Sequence, residues 1–203
     1  MPFQPKVDIL PAPQRKLWGE LSGTPKEFVL YGGTALALGL GHRVSEDFGF
    51  FSRTSFDAAA LYRAIPYLRG SRIDQSSANT LTCAVDRDGP VKVSFFGDLD
   101  TLKSIAEPDV VDGVAIASLL DVAATKMRTL QVRAAAKDYI DVAALLESGL
   151  SLSEMLKAAS AVYGGAFNPV VTLKALSYFG DGDLVSLPEA TKARLQRAAK
   201  EIG

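Results

Sequence analysis

Two glycines and a threonine, Gly32-Gly33-Thr34, separate an apolar run from a helical pattern, and such a turn can bind a phosphate group. Glycines let the backbone approach an anion closely, and the first turn of a helix presents unbonded N–H groups with partial positive charge. The preceding run, residues 27–31, is long enough only for a buried strand. An ordinary tight turn would use the same residues, so both interpretations stay open.

Asp47 lies in the next predicted strand, residues 46–51, thirteen positions after Thr34. Side chains two apart on a strand point to the same side, so Ser45, Asp47 and Gly49 share one face. A carboxylate there could bind Mg²⁺, and enzymes that transfer phosphoryl groups commonly hold two such ions about 3.5–4 Å apart. Arg43 precedes the strand and either contacts phosphates or lies in a surface loop.

A second set of charged residues occurs in the C-terminal half. Lys126, Arg133 and Lys137 are spaced by seven and four, so an unbroken helix would carry all three on one face. Asp138 and Asp141 are three apart and also share a face. The alternative to a functional site is a surface ladder in which Lys137 pairs with Asp141.

Periodicity divides the chain into an N-terminal α+β half and a C-terminal helical half. The predicted strands are residues 27–31, 46–51, 71–76, 80–86 and 91–96. The predicted helices are Gln14–Leu21, one starting at Thr34, Ser55–Leu68 capped by Ser52 or Ser55, Ser118–Val132, Lys137–Leu146, Ser153–Tyr163 capped by Ser153, Pro169–Tyr178 and Glu189–Glu201. The sequence therefore predicts an α+β fold, with a mixed sheet of about five strands in a core over residues 1–115 and a helical bundle over residues 116–203.

Composition excludes several classes of protein. The 203 residues are 48% hydrophobic and carry a net charge of −1, which excludes a strongly basic nucleic-acid binder. One cysteine, Cys83, and one histidine, His42, exclude a disulfide framework, a Cys/His zinc site and a Cys–His catalytic pair. The N-terminus has no apolar targeting segment, and glycines interrupt the longest apolar stretch. We therefore expect a cytoplasmic location without a membrane span.

Two long segments resemble known motifs. The run YGGTALALGLGHRVSEDFGFFS resembles the first motif of the abortive-infection AbiEii-type nucleotidyltransferase toxins. The run LLDVAATKMRTLQVRAAAKDYIDVAALL resembles that family's downstream motif, with a lysine on one helix and an (R/K)D-x-x-D-L pattern on the next. Together they bracket residues 28–146. The resemblance implies a nucleotidyltransferase fold of the DNA-polymerase-β kind.

The resemblance also implies roles for particular residues. The catalytic residues would be Asp47, which would also bind Mg²⁺, together with Lys126 and Asp138. The nucleotide-binding residues would be Gly32, Gly33, Thr34, Arg43, Ser45, Lys126, Lys137 and Asp141. The implied partners are a nucleoside triphosphate, an acceptor such as RNA, and an antitoxin encoded nearby.

The sequence departs from the family pattern at two acidic positions. Gly49 stands where the pattern has a second Asp, and Ser94 stands where a polymerase-β-type site has its third. One carboxylate cannot hold two Mg²⁺ ions with protein ligands alone, although one ion shared with substrate phosphates is feasible. Asp98 and Asp100 could substitute, or form a turn. Three hypotheses follow: an active nucleotidyltransferase toxin, an inactive protein that binds a nucleotide or partner, and an interaction subunit with a purely architectural Gly-Gly turn.

Overall fold

The computed structural model describes residues 4–99 and 103–202, which divide into two compact units. Residues 4–99 and 107–118 form the first unit, and residues 103–106 and 119–202 form the second. The strands are β1 (Val29–Tyr31), β2 (Asp47–Phe51), β3 (Arg72–Ser77), β4 (Thr80–Asp86), β5 (Pro90–Phe96), β6 (Asp109–Val111) and β7 (Val114–Ile116). The helices are α1 (Ala12–Trp18), α2 (Gly32–Leu40), α3 (Ala58–Ala64), α4 (Leu119–Thr129), α5 (Ala136–Glu147), α6 (Leu152–Tyr163), α7 (Pro169–Ala175) and α8 (Glu189–Lys200).

A seven-stranded mixed sheet organises the first unit in the order β3-β4-β5-β2-β1-β7-β6. Strand β2 pairs antiparallel with β1 and parallel with β5. Across β2 and β5, Asp47 lies beside Lys92 and Gly49 beside Ser94. The strands predicted over residues 27–31, 46–51 and 91–96 therefore belong to one sheet, with Asp47 and Ser94 on one face, but the expectation that these two residues lie side by side was wrong. Gly49, two residues beyond Asp47, is the direct neighbour of Ser94.

The two faces of this sheet differ in polarity. Phe48, Phe50, Val93 and Phe95 alternate with the residues of the Asp47 face and are fully buried. The rings of Phe50 and Phe95 stack with their centroids 5.4 Å apart. This apolar face supplies the core of the first unit, since burying such side chains is the main favourable term in folding. The opposite face carries Asp47, Lys92 and Ser94 together with the contacting rings of Tyr31, Phe51 and Phe96.

The sequence analysis missed the hairpin of β6 and β7. Its turn is Asp112-Gly113, with φ of 51° and 79°, and two-residue hairpin turns of type I′ require positive φ at both positions. Each strand has only three residues, too few to show an alternating pattern. Strand β7 then pairs in parallel with β1, which extends the sheet beyond the five predicted strands.

Several predicted helix ends were wrong for local reasons. Helix α3 begins at Ala58 and is capped by Asp57, whose Oδ1 accepts a hydrogen bond from Ala60 N at 2.7 Å, not by either predicted serine. It ends before Pro66, because proline disfavours helical backbone in the residue that precedes it. Helix α1 begins two residues earlier than predicted, at Ala12, with proline in its first turn, and ends at Trp18.

The second unit consists of helices α4 to α8. Helix α4 packs against both α5 and α6, and α5 also packs against α8. Helix α4 ends at Thr129 and α5 begins at Ala136, so the unbroken helix that would have aligned Lys126 with Lys137 does not form. Within residues 4–99 and 103–202, no helix is long and apolar enough to cross a bilayer.

The N-terminus of α6 provides a test of the helix assignment. Ser151, rather than the predicted Ser153, is the cap: its Oγ accepts from Glu154 N at 3.2 Å, and Glu154 Oε2 accepts from Ser151 N at 2.8 Å. We expect Ser151→Ala to lower the free energy of unfolding by about 1 kcal/mol, because the Glu154 amide loses its acceptor and the Glu154 carboxylate loses the Ser151 hydroxyl. The matched control, Ser153→Ala, should change it by less than about 0.5 kcal/mol. Urea unfolding measures both, and equal effects would contradict the assignment.

Candidate active site

The Gly-Gly turn between β1 and α2 has a backbone conformation and close contacts that favour glycine. Gly32 has φ of +76°, in the left-handed region that side chains disfavour. A Cβ at Gly33 would lie 2.6 Å from Arg43 Nη2 and 2.9 Å from Ser45 Oγ. The missing side chain therefore lets Arg43 and Ser45 pack directly against the first turn of α2.

Thr34 fastens this turn to the start of β2. Its side chain is buried, and its hydroxyl hydrogen-bonds Ser45 Oγ at 2.9 Å and the main-chain carbonyl of Asp47. Ser45 is buried as well. The structure thus brings together five of the predicted residues, Gly33, Thr34, Arg43, Ser45 and Asp47, at one end of β2. A helix N-terminus beside a carboxylate is an arrangement suited to binding a phosphate with its cation.

Asp47 is the one predicted acid on this part of the sheet. It is exposed at the first residue of β2, whereas Gly49 contributes no side chain and Ser94 is buried, its Oγ accepting from Thr82 Oγ1 at 3.1 Å. Asp98 lies in a turn with φ of 58° and accepts from Asn79 Nδ2 at 3.3 Å, while Asp100 lies outside the described residues.

These donors fit one divalent ion better than two. Asp47 together with substrate phosphate oxygens is a common way to hold one Mg²⁺. Two ions would need further carboxylates, and Gly49 and Ser94 supply none. Among residues 4–99 and 103–202, no group of three or more His, Cys, Asp or Glu side chains is placed to hold a metal ion.

The second unit contains a buried ionic cluster on α4, α5 and the loop between them. Lys126 Nζ lies 2.7 Å from Asp138 Oδ1 and 2.6 Å from Asp141 Oδ2, and Arg133 Nε donates to Asp138 Oδ2 at 2.7 Å. Both carboxylates are completely buried, which confirms that the two acids share one face of α5. Lys137 is exposed and Asp141 bonds Lys126, so the surface ladder between Lys137 and Asp141 was wrong.

The electrostatics of Asp138 reflect this pairing. Burial raises the pKa of its carboxyl, but the hydrogen bond from Arg133 and the charge and hydrogen bond of Lys126 act in the opposite direction. Their sum holds the pKa of Asp138 below its ordinary value. The ion pairs of Asp138 therefore stabilise the fold above its unfolded pKa of about 3.9, and this stabilisation is lost as the pH falls through the lower folded value.

Asp121 is a buried acid that the sequence analysis did not select. Its Oδ1 accepts from Ile105 N at 2.7 Å, and its Oδ2 accepts from Ala106 N and Ser104 Oγ, both at 3.3 Å. It thereby fixes residues 103–106 to the start of α4. An aspartate in the first turn of an otherwise apolar helix was the available signal, since buried carboxylates need partners.

An open pocket of about 530 Å³ lies elsewhere on the first unit, lined by Ser55, Phe56, Asp57, Ala58, Ala59, Ser76, Ser77 and Ala78. Its one charged side chain, Asp57, already caps α3. Nothing in its lining resembles a catalytic arrangement.

Comparison with known proteins decides the family. The profile of the family described as "Nucleotidyl transferase AbiEii toxin, Type IV TA system" matches residues 16–202. The chain belongs to the AbiEii nucleotidyltransferase toxin family. This membership confirms the resemblance carried by the two sequence motifs.

A relative and two solved structures agree with that membership. An uncharacterised protein of Aquifex aeolicus, aq_aa25, is 33% identical over 162 residues, which cover 78% of this chain and 77% of that protein. An H. pylori protein assigned as a nucleotidyltransferase is 21% identical, covers 93% of this chain and 91% of its own, and gives a TM-score of 0.56. JHP933 of Helicobacter pylori is 20% identical, covers 93% and 88%, and gives 0.54. The two structures support the α+β nucleotidyltransferase-like fold.

The buried ionic cluster yields a stability prediction. Lys126→Met should lower the free energy of unfolding by about 3–5 kcal/mol at pH 7, because it removes the cation that compensates two buried carboxylates. The control Lys137→Met, at an exposed position on α5, should cost less than about 0.5 kcal/mol.

The pH dependence of the free energy of unfolding tests whether the loss of the Lys126 ion pairs causes this destabilisation. The stability difference between the wild type and Lys126→Met should shrink as the pH falls from 7 to 3. Asp138 of the variant, without the Lys126 charge, takes up a proton and then needs no cation, whereas Arg133 and Lys126 hold the pKa of Asp138 in the wild type below its ordinary value. Denaturant unfolding at pH 7 and pH 3 tests both statements. A Lys126→Met variant as stable as the control at pH 7 would contradict them.

Proposed function

We propose that this protein transfers a nucleotide from a nucleoside triphosphate to an acceptor, using a metal site reduced to one carboxylate. The observation that supports the proposal most directly is the bond from Thr34 to the Asp47 carbonyl. It holds a glycine-rich helix start beside a carboxylate, as phosphate binding next to a cation requires. Membership of the AbiEii family gives this geometry its chemical interpretation.

Residues of the first unit would bind and orient the triphosphate. The amides at the start of α2 would bind the anion, and Arg43, packed on Gly33, would add positive charge. Nucleotidyltransferases of this family generally use a divalent metal. Asp47 would hold such an ion. A bound Mg²⁺ would stabilise the negative charge at the reacting phosphate. The oxygen of an acceptor hydroxyl would attack the α-phosphorus in line, forming the new P–O bond as the bond to the β-phosphate oxygen breaks, and pyrophosphate and the hydroxyl proton would leave to solvent.

The predicted roles of Lys126 and Asp138 require an additional step. The Lys126 ammonium already bonds two carboxylates, so contact with a phosphate means exchanging one of them for the nucleotide. Asp138 is fully buried between Lys126 and Arg133, and would act through their positions. Asp141 would support the same cluster, and Lys137, which is exposed, would contact the nucleotide directly.

The acceptor and partner are further parts of the proposal. RNA is the acceptor we favour, and an antitoxin encoded nearby is the expected protein partner, in keeping with a family described as a toxin–antitoxin system. Both would meet the protein in the cytoplasm.

A second candidate function follows from one specific observation. Gly49 and Ser94 leave the sheet face with a single acid, so the protein could bind a nucleotide without transferring it. A nucleotide-binding regulator would keep the Gly-Gly turn and would not need the missing carboxylates. Transfer and binding are separable by experiment.

Label transfer tests the proposed reaction. The purified protein is incubated with each of the four nucleoside triphosphates, labelled at the α-phosphate, with Mg²⁺ and either bulk RNA or protein as acceptor. We expect transfer by the wild type, and at least a hundredfold less by Asp47→Asn, because the amide cannot replace the carboxylate charge. Asp98→Asn, at an exposed turn acid, is the matched control. Binding without transfer would favour the second candidate.

Restoring the missing acids provides an independent prediction. Gly49→Asp is sterically open, because a Cβ there meets no atom within 4 Å, and Ser94→Asp is its neighbour on β5. Three close carboxylates repel one another and raise one another's pKa values, so the metal-free double variant should lose stability. Mg²⁺ should restore it, making the melting temperature strongly Mg²⁺-dependent in the variant and weakly so in the wild type. Equal Mg²⁺ responses would refute the mapping of these positions.

A further inference from the structure

Lys92 occupies a position on the sheet that the sequence analysis did not select. It is the register partner of Asp47 across the parallel β2–β5 pair, so the two residues lie side by side on one face. Neighbouring strands are about 4.8 Å apart, which places the two Cα atoms in adjacent positions. On the opposite side of Asp47, the Gly-Gly turn is held by Thr34. Asp47 thus lies between the turn and a lysine.

The strand position excludes a core role for Lys92. Val91 and Val93 on either side are buried in the apolar core, whereas Lys92 is exposed on the other face. Strand β5 lies between β4 and β2, so Lys92 is not one of the charges that commonly protect an edge strand.

Lys92 forms no ion pair with another described residue. In the part of the chain that the structure describes, no carboxylate lies within 4.0 Å of its ammonium. The acid that it influences, Asp74, is already bonded to Arg72, with Nε 2.7 Å from Oδ1. That hydrogen bond is the main reason why the pKa of Asp74 is lowered, and the charge of Lys92 is the smallest contribution.

The charges on this face explain why such a lysine matters. A site with three carboxylates and no metal repels a triphosphate, and two divalent ions reverse that repulsion. Here the corresponding positions hold Asp47, Gly49 and Ser94, and Lys92 is the register neighbour of Asp47. This part of the face therefore carries one acid and one lysine in place of three acids.

We infer that Lys92 binds the phosphates of the nucleotide in place of the second divalent ion. An ammonium group has three donors and acts as a point charge towards phosphate oxygens. This inference rests on the proposed function, since it assigns the charge that holds the same nucleotide. Its consequence is that triphosphate binding persists without divalent metal and depends on Lys92.

Calorimetry with inorganic tripolyphosphate and with each of the four nucleoside triphosphates tests the inference, in EDTA and in Mg²⁺. We expect the wild type to bind in EDTA, Lys92→Gln to bind at least tenfold more weakly, and Lys92→Arg to retain most of the affinity. The matched control is Lys26→Gln, an exposed lysine of the same unit that changes net charge equally. Thermal unfolding verifies that every variant is folded.

The outcomes separate this inference from the proposed function. Wild-type binding in EDTA that Lys92→Gln weakens and Lys26→Gln does not supports Lys92 as the phosphate ligand. Wild-type binding that appears only with Mg²⁺, or that Lys92→Gln leaves unchanged, overturns the inference while the proposed function stands. A wild type that binds no polyphosphate or nucleotide under either condition overturns both.

Discussion

The hydrogen bond between the Thr34 hydroxyl and the Asp47 carbonyl is the contact on which the candidate site depends. It joins the first turn of α2 to the main chain of Asp47, the first residue of β2, and so keeps the helix N-terminus next to that residue. Ser45 shares the same hydroxyl and is buried beneath it. Because Gly33 has no side chain, Arg43 reaches the same turn. The positions of four candidate residues thus follow from one short connection.

The second unit is held by a different kind of interaction. Lys126, Asp138 and Asp141 remove three charges from water, and such a cluster is favourable only when its members satisfy one another. Arg133 adds the second cation, so the two buried carboxylates face two positive groups. This balance fixes the relative positions of α4 and α5 more specifically than apolar packing alone, because a misplaced partner would leave a buried charge uncompensated.

On the sheet face that carries Asp47, the neighbouring positions Gly49 and Ser94 add no carboxylate. Three adjacent carboxylates repel one another in the absence of metal, and this repulsion raises their pKa values. With Gly49 and Ser94 in those positions, the face loses that repulsion, and Ser94 instead bonds Thr82 within the sheet.

Local patterns in the sequence determined much of this protein. The apolar run before Gly32, the strand around Asp47 and the Asp86–Pro90 turn each depend on neighbouring residues, and the structure has them where the patterns indicate. The two motifs likewise sufficed to indicate the family, because they preserve residue types at fixed spacing. Three-residue strands such as β6 and β7 escaped detection, since they become strands only by pairing with each other and with β1.

The partners of the charged side chains were decided by tertiary structure alone. Spacing suggested Lys137 for Asp141, yet the chain breaks between α4 and α5 and brings Lys126 to that carboxylate instead. Spacing within one strand also gave no indication that Lys92 would lie beside Asp47, because that neighbour depends on the register between β2 and β5, whose buried residues on the opposite face are Phe48, Phe50, Val93 and Phe95. Helical and strand periods are properties of consecutive residues. Which charge meets which depends on contacts between residues far apart in sequence, and only the folded chain specifies those.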